Sequence, residues 1–521
     1  MREELKEKEV LAMYNVRRIQ SYIFKSNAAK EIVGASELIE GIIVNGLEQY
    51  MKSLDESEKS KYMIDWKHDD AQAFLKKDSP VQMQVLFVGG GNAYVLFRTG
   101  KICEKVNRFL GRYLLEKTYS LNLAIAVIEK TDSYEDDYKA INDEMRDIKA
   151  SMPLNQPVGA LPFMAVDSIT GYPITKSKDG EYFCTEAYLK RKAFPKSEDE
   201  KLFDKMVTEK GSDSTLAVCH IDGNSMGNRI KTEMKDVSDY EVAIPKMRKL
   251  SQTISNVFND MFKDMTKYME ELSVQINPFA DHKFYRKIVA AGDDITFVCN
   301  AKLALPAVEY FLRNLGERGE GDSFSACAGI AYFNSHFPFS DAYQVAESCC
   351  ESAKKRAKCE VVAFRQQQKD SNKETNKKTN KKEPKIGNFL DFQICTNVRA
   401  ADLVSYRDRH YTVDQKQFIA RPYYVPLIHD EENLNSKNEA YSIERLKKWM
   451  KIVNAMPRSK AKTLRDTIPT GEHEVEKEAS FLASRGYLMF KENVAESNVW
   501  YDALEIMDLW IEEEKSDENK N

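Results

Sequence analysis

The sequence lacks the long apolar segments and the secretion signal that would direct it into or across a membrane. None of its hydrophobic runs approaches the ~20 residues needed to span a bilayer, and the segment Met1 to Lys6 has no apolar core of a signal peptide. The net charge is only -5 for 521 residues, so no overall basic field favours nucleic-acid binding. These absences predict a cytoplasmic protein with no membrane partner.

The spacing of the cysteines does not indicate a metal site. The nine cysteines include no Cys-x-x-Cys pair, so a structural zinc site has no evident ligand set. Cys219, Cys299 and Cys327 lie within apolar runs typical of strands, where a reduced thiol packs as a small hydrophobic group. The length of 521 residues allows roughly three or four domains of ordinary size.

An acidic turn between two apolar runs is the most informative feature that is present. The runs 287–291 and 295–298 flank Gly292-Asp293-Asp294, which predicts a β-hairpin whose turn uses the backbone freedom of Gly292. A further acid, Asp222, ends the apolar run 216–221. Neighbouring carboxylates repel each other unless a cation lies between them, and such oxygen ligands suit Mg²⁺ or Mn²⁺. The pattern favours a palm-type nucleotidyl transferase with two cations, while a plain polar turn is the alternative for the motif alone.

The spacing of the motifs indicates an internal duplication. The interval from Asn15 to Gly90 is 75 positions, and the interval from Asp222 to Gly292 is 70. The interval from each hairpin glycine to an alanine in the following strand is 36 positions in both copies. Each copy has the order strand, helix, hairpin, strand, helix, which is typical of a ferredoxin-like α+β layer. Because the first copy has Asn15 and a glycine-rich turn in place of the acids, it is predicted to be metal-free and the second catalytic.

Composition divides the chain into five predicted regions. They are a first palm domain at 1–150, an inter-palm segment rich in Pro, Gly and charge at 151–210, a second palm domain at 211–365, a disordered linker rich in Lys and Asn at 366–385, and a mostly helical C-terminal domain at 386–521. The long helix of the second palm is predicted to bury a methionine-rich stripe with three- and four-residue spacing. The predicted fold class is therefore α+β, with two ferredoxin-like palm domains followed by a helical domain.

Three segments together resemble the large palm-domain subunit of type III CRISPR systems, the signalling polymerase that makes cyclic oligoadenylates. They are Asn15 to Phe24 with Gly34-Ala35-Ser36, then Phe87 to Asn92, and then Asp222 to Gly227 with Ala291-Gly292-Asp293-Asp294. The segments Arg421-Pro422-Tyr423 and Met456 to Ser459 are also similar to that family's last helical domain. The resemblance covers most of the chain and implies palm domains like those of nucleotide cyclases of the GGDEF type.

The resemblance implies an enzyme that converts ATP into a cyclic oligoadenylate second messenger in antiviral defence, with two Mg²⁺ or Mn²⁺ ions. The catalytic residues that it implies are Asp222, Asp293 and Asp294, and the metal ligands are these three together with Ile221. The nucleotide-binding residues that it implies are Ser36, Gly90, Gly91, Gly223, Asn224, Ser225, Met226, Gly227, Gly292 and Lys354. Ser36 matches a first-palm serine of the family, with an ordinary helix-surface serine as the alternative. Lys354 matches a phosphate-contacting lysine of the related diguanylate cyclases, with Lys358 as the alternative.

The sequence departs from the family pattern at several points. Ala291 replaces the first glycine of the family's Gly-Gly-Asp-Asp hairpin, and Asn224 stands where the family often has a second Asp. The zinc cysteines between the palms are missing from the segment 162–173. The first palm is expected to begin at about Val10, without a preceding HD nuclease domain. The resemblance therefore predicts a compact relative of the family.

Other functions stay open on the sequence alone. The alternatives are a subunit of an RNA-guided complex that is active only with its partners, a diguanylate cyclase-like enzyme, and a catalytically silent scaffold. Asp294-Ile295 stands where diguanylate cyclases have Glu-Phe, which weakens the second alternative, and the intact acid triad argues against the third. Nucleoside triphosphates are the predicted small-molecule partners, RNA and CRISPR-complex subunits are candidate partners, and a downstream effector would read the cyclic product.

Overall fold

A computed structural model describes the protein over residues 3–89, 91–152, 160–199, 201–207, 214–317, 324–375, 386–396, 402–427 and 436–511. The chain divides into two compact units. The first comprises Met1–Leu202, Ser225–Asn259 and Ile288–Asp293, and the second comprises Phe203–Asn224, Asp260–Lys287 and Asp294–Asn521. The boundary between the units therefore separates two adjacent acids, Asp293 and Asp294.

The region predicted as the first palm forms a mixed α/β layer. Its described strands are β1 (Val10–Arg17), β2 (Tyr62–Met63), β3 (Met83–Gly89), β4 (Asn92–Phe97) and β5 (Asn122–Glu129). Its described helices are α1 (Ile19–Ile23), α2 (Ala29–Ile39), α3 (Ile42–Lys52), α4 (Glu56–Lys59), α5 (Gly100–Thr118) and α6 (Tyr134–Ser151). The strands follow the order β2-β3-β4-β1-β5, and β1 is antiparallel to both of its neighbours. The ferredoxin-like arrangement predicted from the motif order is confirmed.

The segment after the first palm is more regular than its composition predicts. It contains β6 (Ile174–Lys178), β7 (Glu181–Cys184), α7 (Thr185–Ala193) and α8 (Leu202–Lys205). Asp179 and Gly180 form the turn between β6 and β7, with φ angles of 55° and 81°. Asp-Gly is a strong hairpin signal because both residues readily adopt positive φ angles, and here it lies within a segment whose overall composition is typical of a loop.

The region predicted as the second palm repeats the first arrangement. Its elements begin with β8 (Thr215–Gly223), α9 (Met226–Glu233), α10 (Tyr240–Ile276), β9 (Tyr285–Ala291) and β10 (Asp294–Asn300). They continue with α11 (Ala301–Asn314), β11 (Ala326–Asn334) and α12 (Phe339–Thr375). The methionine-rich stripe of α10 is buried as predicted, with Met261, Met265 and Met269 each at 0% exposure. The predicted strand-helix-hairpin-strand-helix order is confirmed in this copy as well.

The C-terminal region begins with a strand, although a helical domain was predicted from residue 386. Its elements are β12 (Asn388–Cys395), α13 (Leu403–His410), β13 (Thr412–Val413), β14 (Lys416–Gln417), β15 (Tyr423–Val425), α14 (Ser436–Ala440), α15 (Ile443–Asn454), α16 (Arg458–Thr467), α17 (Glu472–Ser484), α18 (Leu488–Glu492) and α19 (Ser497–Ile506). The second sheet has the order β15-β12-β11-β8-β10-β9. Within it, β12 is parallel to β11, so the edge of the palm sheet is covered rather than left with unpaired backbone groups.

The helix before this strand also differs from the prediction. α12 continues through Thr375, ten residues into the segment 366–385 that was predicted as a disordered linker. Residues 366–369 are Gln, Gln, Gln and Lys, which have good helix propensity despite their polarity. The other half of the predicted linker, 376–385, lies outside the described residues.

Candidate active site

Two of the three predicted catalytic acids face each other across neighbouring strands. β8 and β10 are antiparallel, and their register makes Asp222 the direct partner of Asp294. Directly opposed residues in an antiparallel pair have side chains on the same face of the sheet, with Cβ atoms about 5 Å apart. Like charges at this spacing destabilise the sheet, so the pair favours a cation between the two carboxylates.

The first sheet has an amide pair at the equivalent position. Asn15 of β1 is the direct partner of Asn92 of β4, and its Nδ2 donates a hydrogen bond of 2.8 Å to Asn92 Oδ1. Amides can both donate and accept, whereas two ionised carboxylates can only accept. The amide pair of the first sheet therefore carries no charge that a cation would have to balance. This supports the interpretation of the first palm as the metal-free copy.

Helix α12 forms the other wall of a cleft at Asp222. The cleft has a volume of about 390 Å³ and is lined by His220, Asp222, Glu347, Cys350, Glu351, Lys354, Lys355 and Lys358. Positions 347, 351, 354 and 358 repeat at intervals of three and four, so they share one face of the helix. A cleft of this size lies within the range of small-molecule sites, about 300–1,000 Å³.

Lys354 forms an ion pair with Asp222 inside this cleft, from its Nζ to Oδ2. The Lys354 side chain is 25% exposed and the Asp222 side chain 34%. Burial by itself would lower the pKa of Lys354, but the charge of Asp222 and its hydrogen bond to the ammonium outweigh burial and raise that pKa. Lys354 is therefore a charged group held against a predicted metal ligand.

His220 lies beneath the acids, two residues before Asp222 and on the same face of β8. Its Nδ1 is 3.0 Å from Thr296 Oγ1 and 3.5 Å from Asp294 Oδ1. Burial lowers the pKa of His220, so the ring is neutral at pH 7, and its contact with Thr296 is a hydrogen bond between neutral groups. The sequence analysis missed this residue, although its two-residue spacing from Asp222 on a strand was the available signal.

Glu347 and Glu351 add two carboxylates to the cleft, and the sequence analysis missed both. Burial is the main cause that raises the pKa of Glu347, and the negative charges of Glu351 and Asp294 raise it further, against the opposing effect of His220. The signal that could have found them is their helical spacing from Lys354, at seven and three positions. The cleft is thus acidic along one part of α12 and basic along the next.

The remaining predicted residues of β8 and its end have structural partners. Ile221 is the direct partner of Ile295 on one side and Ala328 on the other. A backbone carbonyl has two lone pairs, and pairing within the sheet uses one of them, so Ile221 stays a predicted metal ligand. Gly223 ends β8, and Asn224 donates through Nδ2 to Ser325 Oγ at 3.2 Å and to the Gly387 carbonyl at 3.1 Å.

Several predicted nucleotide-binding residues belong to the first unit. Ser36 is 7% exposed, so it is not a surface serine, and its hydroxyl donates to the Ile288 carbonyl of β9. Gly91 and Gly292 have φ angles of 72° and 68°, the left-handed conformation that a tight hairpin turn requires and that glycine adopts without strain. Ser225, Met226 and Gly227 at the start of α9 also belong to this unit, as does Asp293, a predicted catalytic residue and metal ligand, at the hairpin turn. Gly90 lies outside the described residues.

The residues of the second unit fit a divalent cation that is shared with a substrate. Within the described ranges, no group of three or more His, Cys, Asp or Glu side chains has the arrangement of a metal site. Mg²⁺, however, is usually bound through one or two carboxylates together with substrate phosphates. Asp222 and Asp294 supply such a carboxylate pair, and the ammonium of Lys354 already occupies a cation position beside Asp222.

The sequence of this region matches a known family. Residues 215–363 match the family model described as "Cas10/Cmr2, second palm domain". The second palm is Cas10-like. The matched segment contains both acids of the pair and the whole lining of the cleft. The resemblance to the large palm-domain subunit of type III CRISPR systems is confirmed.

Solved structures similar to the chain include Csm1-Csm4 cassettes. The cassette in complex with cA4 has 11% sequence identity and a TM-score of 0.45, with 97% of this chain and 70% of that chain covered. The cassette in complex with cA3 has 11% identity and a TM-score of 0.41, with 67% and 53% covered. Csm1 of T. onnurineus has 14% identity and a TM-score of 0.41, with 67% and 52% covered.

The chain spans about half the length of the relative in the complex with cA3, since 53% of that chain is covered. No protein of curated function matches the sequence. In the described part of the chain, no helix combines the length and the hydrophobicity needed to cross a membrane.

Proposed function

We propose that the protein is a nucleotidyltransferase that joins ATP units into a cyclic oligoadenylate, with the Cas10-like second palm as its catalytic domain. The observation that carries the proposal is the direct pairing of Asp222 with Asp294 across β8 and β10. The pair lies beside a cleft that also presents Lys354. Two opposed carboxylates and an adjacent lysine match the needs of a reaction at a triphosphate, where a divalent cation and positive side chains neutralise developing charge.

Different residues of the cleft would bind the cation and the phosphates. Asp222 and Asp294 would hold the divalent cation, Mg²⁺ or Mn²⁺, which when bound would neutralise the triphosphate and activate a ribose hydroxyl. Lys354, Lys355 and Lys358 line the same cleft and would bind phosphate oxygens as point charges. Neutral His220 keeps the Asp294 side of the pair in place through its contacts with Thr296 and Asp294. The roles of Asp293 and the first-palm residues, Ser36 above all, remain part of the proposal through the family resemblance.

The base, the product and the wider partners also come from the resemblance. Adenine as the base and a cyclic oligoadenylate as the product are the family's chemistry, and a downstream effector would read that product in antiviral defence. RNA and CRISPR-complex subunits are the proposed activating partners. The product assay is therefore run both without RNA and with RNA and partner subunits, because only the second condition would yield product if activation is required.

The experiment pairs mass spectrometry of the products with an amide version of the acid pair. Purified protein is incubated with each nucleoside triphosphate and Mg²⁺ or Mn²⁺. The double variant Asp222→Asn with Asp294→Asn reproduces the Asn15–Asn92 pair of the first sheet, so its fold should be retained while synthesis falls at least about a thousandfold, or roughly 4 kcal/mol of transition-state stabilisation. Amide oxygens do not replace two charged ligands of a divalent cation.

The matched control is Asp281→Asn, which removes one charge from an acid of the same unit that is 92% exposed. Its turnover should equal that of the wild type. Cyclic product from the double variant at the wild-type rate would refute the proposed site. Absence of product from the wild type under every condition, with and without RNA and partners, would favour the silent scaffold.

A further inference from the structure

We propose that Lys354 holds the place of a divalent cation at Asp222, so that the cation binds tightly only together with a triphosphate. The inference rests on the proposed function, since it concerns the order of binding at the same cleft. It assigns to Lys354 a second role beside phosphate binding. In the protein without nucleotide this lysine is the counter-ion of Asp222, and it is released when a phosphate group becomes its new partner.

The position of Lys354 is determined by the packing of its helix. α12 lies against β11 at Gly329, where a Cβ atom would overlap the Ala346 carbonyl oxygen and the Cys350 backbone nitrogen. Such close packing leaves the helix little freedom to move along the strand. The ammonium of Lys354 therefore meets Asp222 because both elements are held in place, and both side chains are about two-thirds to three-quarters buried.

A metal ion and the ammonium compete for the same carboxylate. A divalent cation that binds Asp222 without nucleotide has to displace Lys354 and leave its charge partly buried beside a second positive charge, which is unfavourable. From the opposed pair it would gain the carboxylates of Asp222 and Asp294, while Mg²⁺ takes six ligands and prefers phosphates for several of them. Both effects keep the affinity of the nucleotide-free protein for the cation low.

A triphosphate removes both of the effects that weaken cation binding, the displacement of Lys354 and the shortage of ligands. Its oxygens supply the missing ligands to the cation, and its negative charge accepts Lys354 together with Lys355 and Lys358, which line the same cleft. Because coupling between two ligands is reciprocal, a triphosphate that raises the affinity for the cation is itself bound more tightly with the cation present. Lys354 thus acts as a positioning residue that links the two binding events.

The test measures Mn²⁺ binding in the absence of nucleotide, by the electron paramagnetic resonance signal of free Mn²⁺. The full chain is titrated as wild type, Lys354→Met and Lys358→Met. We expect Lys354→Met to bind Mn²⁺ about tenfold more tightly than the wild type, as expected for release of a partly buried carboxylate from its counter-ion. Lys358→Met removes the same charge from the same cleft but not the contact with Asp222, so its Mn²⁺ affinity should remain within about twofold of the wild type.

Two further variants separate the inference from a general change of charge or fold. Lys354→Arg keeps a cation at Asp222 and should bind Mn²⁺ as the wild type does. In the double variant Asp222→Asn with Lys354→Met, the gain of Lys354→Met should disappear. Melting curves accompany each titration, and with ATP present the coupling between ATP and Mn²⁺ should be weaker in Lys354→Met than in the wild type.

The outcomes distinguish this inference from the proposed function. Equal Mn²⁺ affinities in the wild type and Lys354→Met, including no detectable binding in either, would overturn the inference. If the wild type makes product but Lys354→Met gains no affinity, the inference fails while the enzyme assignment stands. If Lys354→Met gains affinity but no product forms under any condition, the counter-ion role stands while the proposed function fails.

Discussion

At the scale of single residues, one substitution pattern separates the two copies of the palm. Asn15 and Asn92 occupy in the first sheet the positions that Asp222 and Asp294 occupy in the second. Each side-chain amide can satisfy the other, and the hydrogen bond between them is present. Two carboxylates cannot satisfy each other in this way. The same backbone therefore supports a self-contained polar pair in one copy and a pair of like charges in the other.

Ser36 provides a prediction at the same scale. Its hydroxyl donates to the Ile288 carbonyl, and the side chain is buried. Ser36→Ala should lower the free energy of unfolding by about 1–2 kcal/mol, because the carbonyl loses a buried hydrogen-bond donor. Urea denaturation measures this change, and Ser21→Ala, at an exposed position of α1, should leave stability unchanged.

Equal stability of Ser36→Ala and Ser21→Ala would contradict a structural role for the Ser36 hydroxyl. The KM for ATP of both variants is measured with the same protein preparations. A higher KM in Ser36→Ala than in Ser21→Ala would support the nucleotide contact predicted from the family resemblance, since stability and substrate affinity are separate readouts.

At the scale of elements, the contact between α12 and β11 decides where the cleft lies. Gly329 of β11 allows this contact, because a Cβ atom there would overlap backbone atoms of α12 and lie 2.9 Å from Cys349 Cβ. Backbone atoms cannot rotate away as the end of a flexible side chain can. The helix face that carries Glu347 and Lys354 is consequently positioned by a glycine on the strand beneath it.

Gly329→Ala is therefore expected to disturb both the fold and the cleft. The added methyl group requires α12 to move, which should lower the free energy of unfolding by about 3 kcal/mol, the upper end of the usual range for overpacking. The control is Gly111→Ala on α5, where a Cβ meets nothing within 4 Å. That change should be neutral or stabilising by up to about 1 kcal/mol, since alanine has the higher helix propensity. Chemical denaturation of both variants is the measurement, and similar stabilities would refute the packing argument.

At the scale of the whole molecule, buried charges connect the C-terminal helices with the sheet of the second palm. Arg407 of α13 forms paired hydrogen bonds of 2.8 and 2.9 Å with Asp391 of β12. Arg421 contacts Glu505 of α19 at 2.6 Å, and Asp502 accepts hydrogen bonds from Tyr423 Oη at 2.7 Å and from the Arg421 backbone nitrogen at 3.0 Å. Removing one member of such a network leaves a buried charge without compensation. Because the partners lie on both the sheet and the C-terminal helices, we expect these two parts to fold together.

The network also predicts a dependence of stability on pH. Burial raises the pKa of Asp502 from an ordinary value of 3.8 to about 6. The folded protein therefore binds this proton more tightly than the unfolded chain does, so the contribution of Asp502 to stability is complete below about pH 4 and falls as the pH rises through about 6. The loss should be on the order of 2–3 kcal/mol, since one pKa unit corresponds to about 1.4 kcal/mol.

The comparison with Asp502→Asn isolates this contribution from other titrating groups. Asparagine keeps an acceptor oxygen at the position but does not titrate. The stability of the wild type relative to Asp502→Asn, measured by urea denaturation from pH 4 to pH 7.5, should decrease as the pH rises. A difference that stays constant over this range would contradict a raised pKa at Asp502.

The sequence by itself determined the features that depend on local chemistry. The hairpin at Gly292 follows from a glycine between two apolar runs, and its φ angle of 68° is the conformation that the turn needs. The duplication was predicted from similar spacing along the chain, and the four palm strands follow the same order in both sheets, β3-β4-β1-β5 in the first and β9-β10-β8-β11 in the second. The choice of Asp222, Asp293 and Asp294 as candidate acids needed only their positions beside apolar runs, because strand ends and turns are marked by neighbouring residues.

Only the tertiary structure decided the features that depend on residues far apart in the chain. Lys354 and Asp222 are separated by 132 positions, and their ion pair depends on how α12 packs on β11. The direct opposition of Asp222 and Asp294 depends on strand register, since a shift of one residue would turn the side chains to opposite faces. The addition of β12 to the palm sheet and the burial of Ser36 likewise depend on which surfaces meet. Periodicity shows that an element has a face to bury, but the partner of that face is determined by the packing of the folded chain.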